Sequence, residues 1–144
     1  MPRDTPEGTV PVTGGERDWG TGNPWMLQYA FDTLVADRLP NPTDKAATLA
    51  RGDTLFHTFC SVCHGPAGDP AAATVGPRLG ALSLLPPRAR TFKDGYLYSM
   101  IRYGRGLMPR YGDKIRPDDR WAIVNYVRTL QAASADTGHA GGKN

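Results

Sequence analysis

The sequence predicts an all-α fold of three to five helices joined by long loops. Three observations predict it. Apolar residues recur at helical spacing in the stretches around Leu55, Leu97 and Val124, while no stretch alternates apolar and polar residues with comparable strength. The 17 glycines and 13 prolines are spread along the 144 residues rather than gathered in one linker, so loops must interrupt the helices throughout. Length and an otherwise ordinary composition fit one soluble globular domain.

Three regions follow in chain order. Residues 1–42 are rich in Gly, Pro and acidic side chains and read as an extended arm with one short amphipathic helix. That helix lies between Pro24 and Pro40, with Leu27, Phe31, Leu34 and Val35 at roughly helical spacing. It is too short to span a bilayer, and it carries Asp32, Asp37 and Arg38. Its apolar face either packs on its own domain or docks on a partner subunit or membrane surface.

Residues 43–132 form the main domain. Thr43 or Asp44 can cap a first helix running through Leu49, Leu55, Phe56 and Phe59 to Cys60. Gly52 weakens the interior of that helix, so a close backbone approach is expected there. A second helix is predicted over about Phe92 to Tyr103, stopped by Gly104, with Leu97, Met100 and Ile101 as its apolar stripe. The last helix starts near Pro117, where proline suits the first position, and Asp118 and Asp119 favour the positive end of its dipole. Trp121, Val124, Val127 and Leu130 line one side of it. Residues 133–144, which include His139, read as a disordered tail.

The chemistry sits in Cys60-Ser61-Val62-Cys63-His64. Two thiols separated by two residues can each add to a vinyl group on one edge of a porphyrin, and the histidine that follows can supply the proximal ligand. Alternatives use these residues less well. A structural zinc site wants four ligands, and the only further candidates are His57 and His139. A thioredoxin-like pair wants a βαβ context, and a structural disulfide across so short a loop leaves His64 unexplained. A large apolar cofactor also supplies core that a loop-rich chain otherwise lacks.

Four motifs in order then make the chain resemble a class I monohaem cytochrome c over roughly ninety residues, 43–132. They are the CSVCHG box with Gly52 and Phe56 before it, Gly76-Pro77-Arg78-Leu79, Gly106-Leu107-Met108-Pro109, and the closing helix with Trp121 and Tyr126. The resemblance implies one haem c, held covalently by Cys60 and Cys63, with His64 and Met108 as axial ligands. It also implies that the Pro77 carbonyl accepts a hydrogen bond from the His64 imidazole, and that Arg78, Leu79, Leu97 and Trp121 border the cofactor. Met1 and Met26 lie outside the domain and Met100 falls among helical apolar neighbours, whereas Met108 sits in a Gly-rich loop closed by Pro109. With both axial positions filled, electron transfer at a positive potential is expected rather than catalysis. An open distal face would instead suit a five-coordinate, peroxidase-like protein.

Charge bears on partners. From Arg78 to Arg120 the chain places Arg78, Arg88, Arg90, Lys93, Arg102, Arg105, Arg110, Lys114, Arg116 and Arg120 against Asp94, Asp113, Asp118 and Asp119. These either form a basic rim that steers acidic redox partners, or pair with haem propionates and solvate the surface. No basic helix or aromatic platform suggests nucleic acid.

Glu7-Gly8-Thr9-Val10-Pro11, Leu39-Pro40-Asn41-Pro42, Arg51-Gly52 and Asp119-Arg120-Trp121-Ala122-Ile123-Val124 further resemble the monohaem subunit of alternative complex III, a bacterial quinol-oxidising membrane complex. That resemblance implies a peripheral relay subunit fed by a multihaem cytochrome or membrane subunits and emptied by a soluble carrier or terminal oxidase. The chain departs from it in lacking an N-terminal cysteine for a lipid, and its stretch from Trp19 to Phe31 matches nothing in that family. The other placements are a free periplasmic shuttle and the cytochrome subunit of another dehydrogenase. Residues 1–15 contain no apolar run that could serve as an export signal, so the expectation is a trimmed form located in the periplasm or on the periplasmic face of the membrane.

Overall fold

The computed structural model describes residues 40–140, with side chains described as far as Thr137. The arm helix expected between Pro24 and Pro40 lies outside the described residues. Within them the chain is helical, with no strand and a single isolated bridge between Arg105 and Met108.

The first rod is α1 (Lys45–Leu55), a π turn (Phe56–Cys60) and α2 (Ser61–His64) in unbroken succession. Asp44 is its N-cap: the carboxylate accepts from the amides of Ala46 at 2.9 Å and Ala47 at 3.4 Å. Thr43 is turned elsewhere: its amide and hydroxyl donate to the Asn41 side-chain oxygen, and its Oγ1 accepts from Asn125. Gly65, at φ 77°, stops the rod immediately after His64. Two short helices follow, α3 (Gly76–Leu79) and α4 (Pro87–Thr91), and then the longer α5 (Asp94–Tyr103) and α6 (Pro117–Ala140).

α1 crosses α6 at Gly52. A Cβ there would stand 2.1 Å from the Ala122 carbonyl oxygen, which is the close approach that the glycine foretold. Beside the crossing, Phe56 is fully buried and its ring lies 5.3 Å from that of Tyr126. The core continues through Leu55, Tyr98, Ile101, Ile115, Trp121, Ile123, Val124 and Val127. Each large apolar side chain buried there contributes about 1.5–3 kcal/mol of transfer free energy.

Three expectations change. α5 begins at Asp94 rather than near Phe92, because Lys93 is extended and serves as the N-cap residue. On α5 the buried residues are Gly95, Tyr96, Tyr98, Ser99 and Ile101, while Leu97 and Met100 stay partly exposed. The tyrosines take the core because Tyr98 stacks on Trp121, with centroids 4.2 Å apart, and Tyr96 stacks on Phe92 at 4.6 Å. Finally, α6 runs on to Ala140, past the expected boundary at residue 132. Its sequence there is alanine-rich, with no glycine before Gly138, so nothing local ends it.

α6 is held to the rest by a polar network as well as by packing. The buried Asn125 amide donates to Thr43 Oγ1 at 2.9 Å and Thr48 Oγ1 at 2.7 Å, and accepts from Asn41 at 2.6 Å. Arg128 donates to Asp94 at 2.8 Å, to Gln131 at 2.8 Å and to the carbonyls of Arg90 and Phe92. Gln131 in turn donates to the Leu84 carbonyl at 2.8 Å. The loop between α3 and α5 is thereby fastened to α6.

Candidate functional site

Cys60 ends the π turn, and Cys63 and His64 close α2. A π turn inserts an extra residue into the helical ladder, a device found chiefly at functional sites. Here the Ser61 amide donates to the Phe56 carbonyl across it. Phe56 stays buried against α6 while Cys60, Cys63 and His64 remain only partly covered. The two cysteines are not joined to each other as a disulfide. Burial, reinforced by the neighbouring Cys63, pushes the Cys60 thiol up to about 12, so it is held as S–H rather than as thiolate.

The chain after His64 turns back under the rod. A Cβ at Gly65 would lie 1.9 Å from the Asp69 carbonyl oxygen, and one at Gly76 would lie 2.2 Å from the Cys63 carbonyl oxygen. No side chain fits at either position. The Val75 amide donates to the Val62 carbonyl at 3.0 Å, so α3 starts directly against the thiol-bearing turn.

His64 Nδ1 lies 2.9 Å from the carbonyl oxygen of Leu82. A carbonyl can only accept, so Nδ1 carries the proton and Nε2 keeps its lone pair for a metal. Burial lowers the His64 pKa and the Leu82 carbonyl opposes the shift, leaving a neutral imidazole at neutral pH. This corrects the expected role of Pro77. Pro77 sits in the exposed turn α3, where the Gly76 carbonyl already receives the amides of Gly80 and Ala81, and it is the chain beyond Gly80 that returns beside His64.

The remaining expected residues are distributed unevenly. Met108 is partly buried against the core cluster, as are Phe59, Cys60, Leu84, Leu97 and Tyr111. Its amide and carbonyl exchange 3.0 Å hydrogen bonds with Arg105, which folds the loop around Gly106 and leaves Leu107 76% exposed. Trp121 is 5% exposed and stacked on Tyr98, so the contact the structure gives it is within the core. Arg78 and Leu79 are exposed on α3. His57 is a surface residue, its Nδ1 2.8 Å from the Asp53 carboxylate.

The expected basic rim loses members. Arg120 is 1% exposed, donates to the Ile115 carbonyl at 3.0 Å and lies over the Tyr98 ring. Arg90 donates to the Leu85 carbonyl at 2.8 Å. Arg78, Arg88, Arg105, Arg110, Lys114 and Arg116 remain exposed. Charge counting places arginines in sequence and cannot see which guanidinium a carbonyl draws inward.

The site suits a haem by the chemistry of its donors. Two thiols at the right spacing, an imidazole with a free Nε2 and a set of half-covered apolar side chains are what a covalently held planar cofactor requires. Among the described residues no group of three or more His, Cys, Asp or Glu side chains is placed to hold a bare metal ion. Leu82 and Tyr111 escaped the sequence reading. Leu82 acts through its backbone, which leaves no side-chain signature, whereas the Met108-Pro109-Arg110-Tyr111 order could have drawn attention to Tyr111.

Fold and site together define a c-type cytochrome of class I. The family described as cytochrome c oxidase, cbb3-type, subunit III matches residues 47–127, and the chain belongs to that family. Cytochrome c550 of Pseudomonas aeruginosa is 23% identical over 114 residues, 79% of this chain and 68% of its own. Among solved structures, the KustC0563 c-type cytochrome is 29% identical with a TM-score of 0.50, covering 56% of this chain and 96% of its own. Cytochrome cL from Hyphomicrobium denitrificans is 26% identical with a TM-score of 0.48, covering 84% of this chain and 68% of its own. Membership implies covalently bound haem c at Cys60 and Cys63, and electron transfer as the activity.

Proposed function

We propose that this protein transfers single electrons through one haem c, with His64 as proximal and Met108 as distal ligand. The observation that carries the reading is the pairing of an Nδ1-anchored His64 with a Met108 held by reciprocal backbone bonds in a glycine-containing loop. The bound haem supplies a one-electron couple at its iron. Cys60 and Cys63 fix the cofactor's edge to the end of the first rod. His64 offers Nε2 while the Leu82 carbonyl holds the ring's orientation and raises its basicity. Met108 offers a thioether, which favours the ferrous state and a positive potential. Half-buried Leu97, Leu84 and Phe59 exclude water from part of the site.

The test is replacement of Met108 by Ala. The sulfur-to-ferric charge-transfer band should vanish while the thioether-bound haem stays on the chain; a band that survives removes Met108 from the iron.

We further propose that the protein works at the periplasmic face of the cytoplasmic membrane as a peripheral relay subunit of a quinol-oxidising complex. Support comes from the family's description as an oxidase subunit and from the sequence of the arm, residues 1–42, whose Leu27, Phe31, Leu34 and Val35 offer an apolar face for docking. Among the described residues no helix is long and apolar enough to cross a membrane. Its donor would be a multihaem cytochrome or membrane subunit, and its acceptor a soluble carrier or terminal oxidase. A second reading is a soluble shuttle, since the relative described as a cytochrome c550 has no complex in its name. Washing membranes with high salt separates the two: a relay subunit travels with a large quinol-oxidising assembly, and a shuttle is released alone.

A further inference from the structure

The Met108 loop is fastened at both ends to α5. At its start Arg105 Nη1 donates to the Tyr96 hydroxyl at 2.7 Å; at its end the amides of Tyr111 and Gly112 donate to the carbonyls of Ile101 and Arg102 at 2.9 and 3.0 Å. These bonds hold the loop to its own helix but not to the rod that carries the thiols. That connection is made by Tyr111. Its ring meets the ring of Phe59, next to Cys60, edge to face at 5.9 Å, across 52 positions of sequence. The Tyr111 hydroxyl lies 3.5 Å from the Phe59 carbonyl, too long to carry much energy, so the ring is the working part. The residue is itself well seated: its carbonyl accepts from the amides of Lys114 and Ile115, and Ile115 is buried. Burial raises its pKa, which keeps the hydroxyl neutral.

We propose that Tyr111 is a positioning residue for the distal ligand: its ring, set against Phe59, ties the Met108 loop to the segment carrying Cys60 and so keeps Met108 in place against competing ligands. The inference rests on the reading of Met108 as the axial ligand. A small ligand can reach the distal site only when Met108 leaves it, so its apparent affinity reports how often the loop opens.

The experiment is a titration of the ferric holoprotein with imidazole, followed at the sulfur-to-ferric band, in the wild type and in Tyr111→Ala, Tyr111→Phe and Tyr126→Ala. Tyr126→Ala removes an aromatic ring packed on Phe56, away from the loop. Tyr111→Ala should bind imidazole about tenfold more tightly than wild type, the scale of losing one aromatic pair. Tyr111→Phe and Tyr126→Ala should stay within about twofold of wild type, less than the worth of one weak contact. Wild-type affinity in Tyr111→Ala would overturn the proposal, and so would an equal gain in Tyr126→Ala, which would mark general loosening. Should the alanine variant fail to hold haem, Tyr111→Leu replaces it with the same expected direction, and an unchanged affinity there counts equally against the idea. A wild type without the band refutes the Met108 reading itself and removes this inference with it.

Discussion

At Gly52 one hydrogen atom decides whether two helices can meet. The Ala122 carbonyl oxygen would stand 2.1 Å from any Cβ, and Tyr126 Cβ 3.0 Å, so Gly52→Ala forces α1 away from α6. We expect it to cost about 1–3 kcal/mol or more, read as a lower denaturant midpoint of the holoprotein. Nearby, Arg51 donates to both carboxylate oxygens of Asp119, at 2.8 and 2.7 Å, and holds that carboxyl below its ordinary value. A lowered folded value means that the pair stabilises fully above the unfolded carboxylate range, around pH 4, and stops doing so as pH falls through the lowered value. Asp119→Asn should therefore destabilise at neutral pH by a small, salt-sensitive amount, with the gap to wild type closing in acid; a gap that widened in acid would contradict the sign. At this scale the sequence was most informative where side-chain chemistry is the function. Cys60, Cys63 and His64 must have those identities at that spacing, and Gly52 must lack a Cβ. The Leu82 carbonyl left no mark, since any residue there presents the same oxygen, and so the acceptor for His64 could not be read in advance.

Among the elements, α6 organises the molecule. Residues 120–125 are all buried, because α1 covers one side, α5 another and the loop after α3 a third. The single apolar line through Trp121, Val124, Val127 and Leu130 was legible from periodicity, but the burial of Arg120, Asn125 and Gln131 was not. Each of these polar residues is buried because a specific partner meets it, and partners distant in sequence leave no periodic signal. The network also makes a prediction. Arg128 is one-fifth exposed and joins Asp94 to the carbonyls of Arg90 and Phe92, so Arg128→Met strands a partly buried carboxylate and frees the α4–α5 connection. A loss of about 1–3 kcal/mol is expected, together with faster amide exchange in residues 84–93. Uniform exchange rates across those residues in mutant and wild type would show that the clamp does not hold that loop. The boundaries of α5 and α6 shifted for local reasons: an extended Lys93 delays one start, and an alanine-rich run postpones one end.

For the whole molecule, on the proposed reading, the folded chain is a frame that would bring two thiols, an imidazole and a methionine loop to one cofactor. α1 and α6 cross to form the base, the π turn ends on Cys60, and the loops before and after α5 supply Leu82 and Met108. Exposed Arg78, Arg88, Arg105, Arg110, Lys114 and Arg116 give this frame a basic surface, in a chain of net charge +3. Electron transfer to an acidic partner should therefore slow as ionic strength rises, and reversing Arg88 or Arg110 to Glu should reduce that slope in stopped-flow measurements. The most direct test of the central claim is the intact mass of the purified protein under denaturing conditions. The account predicts the chain plus one haem, kept in Cys60→Ala through the remaining thioether and lost only when Cys60 and Cys63 are both replaced by Ala; a bare wild-type chain mass, with haem extracted by acid, would contradict it.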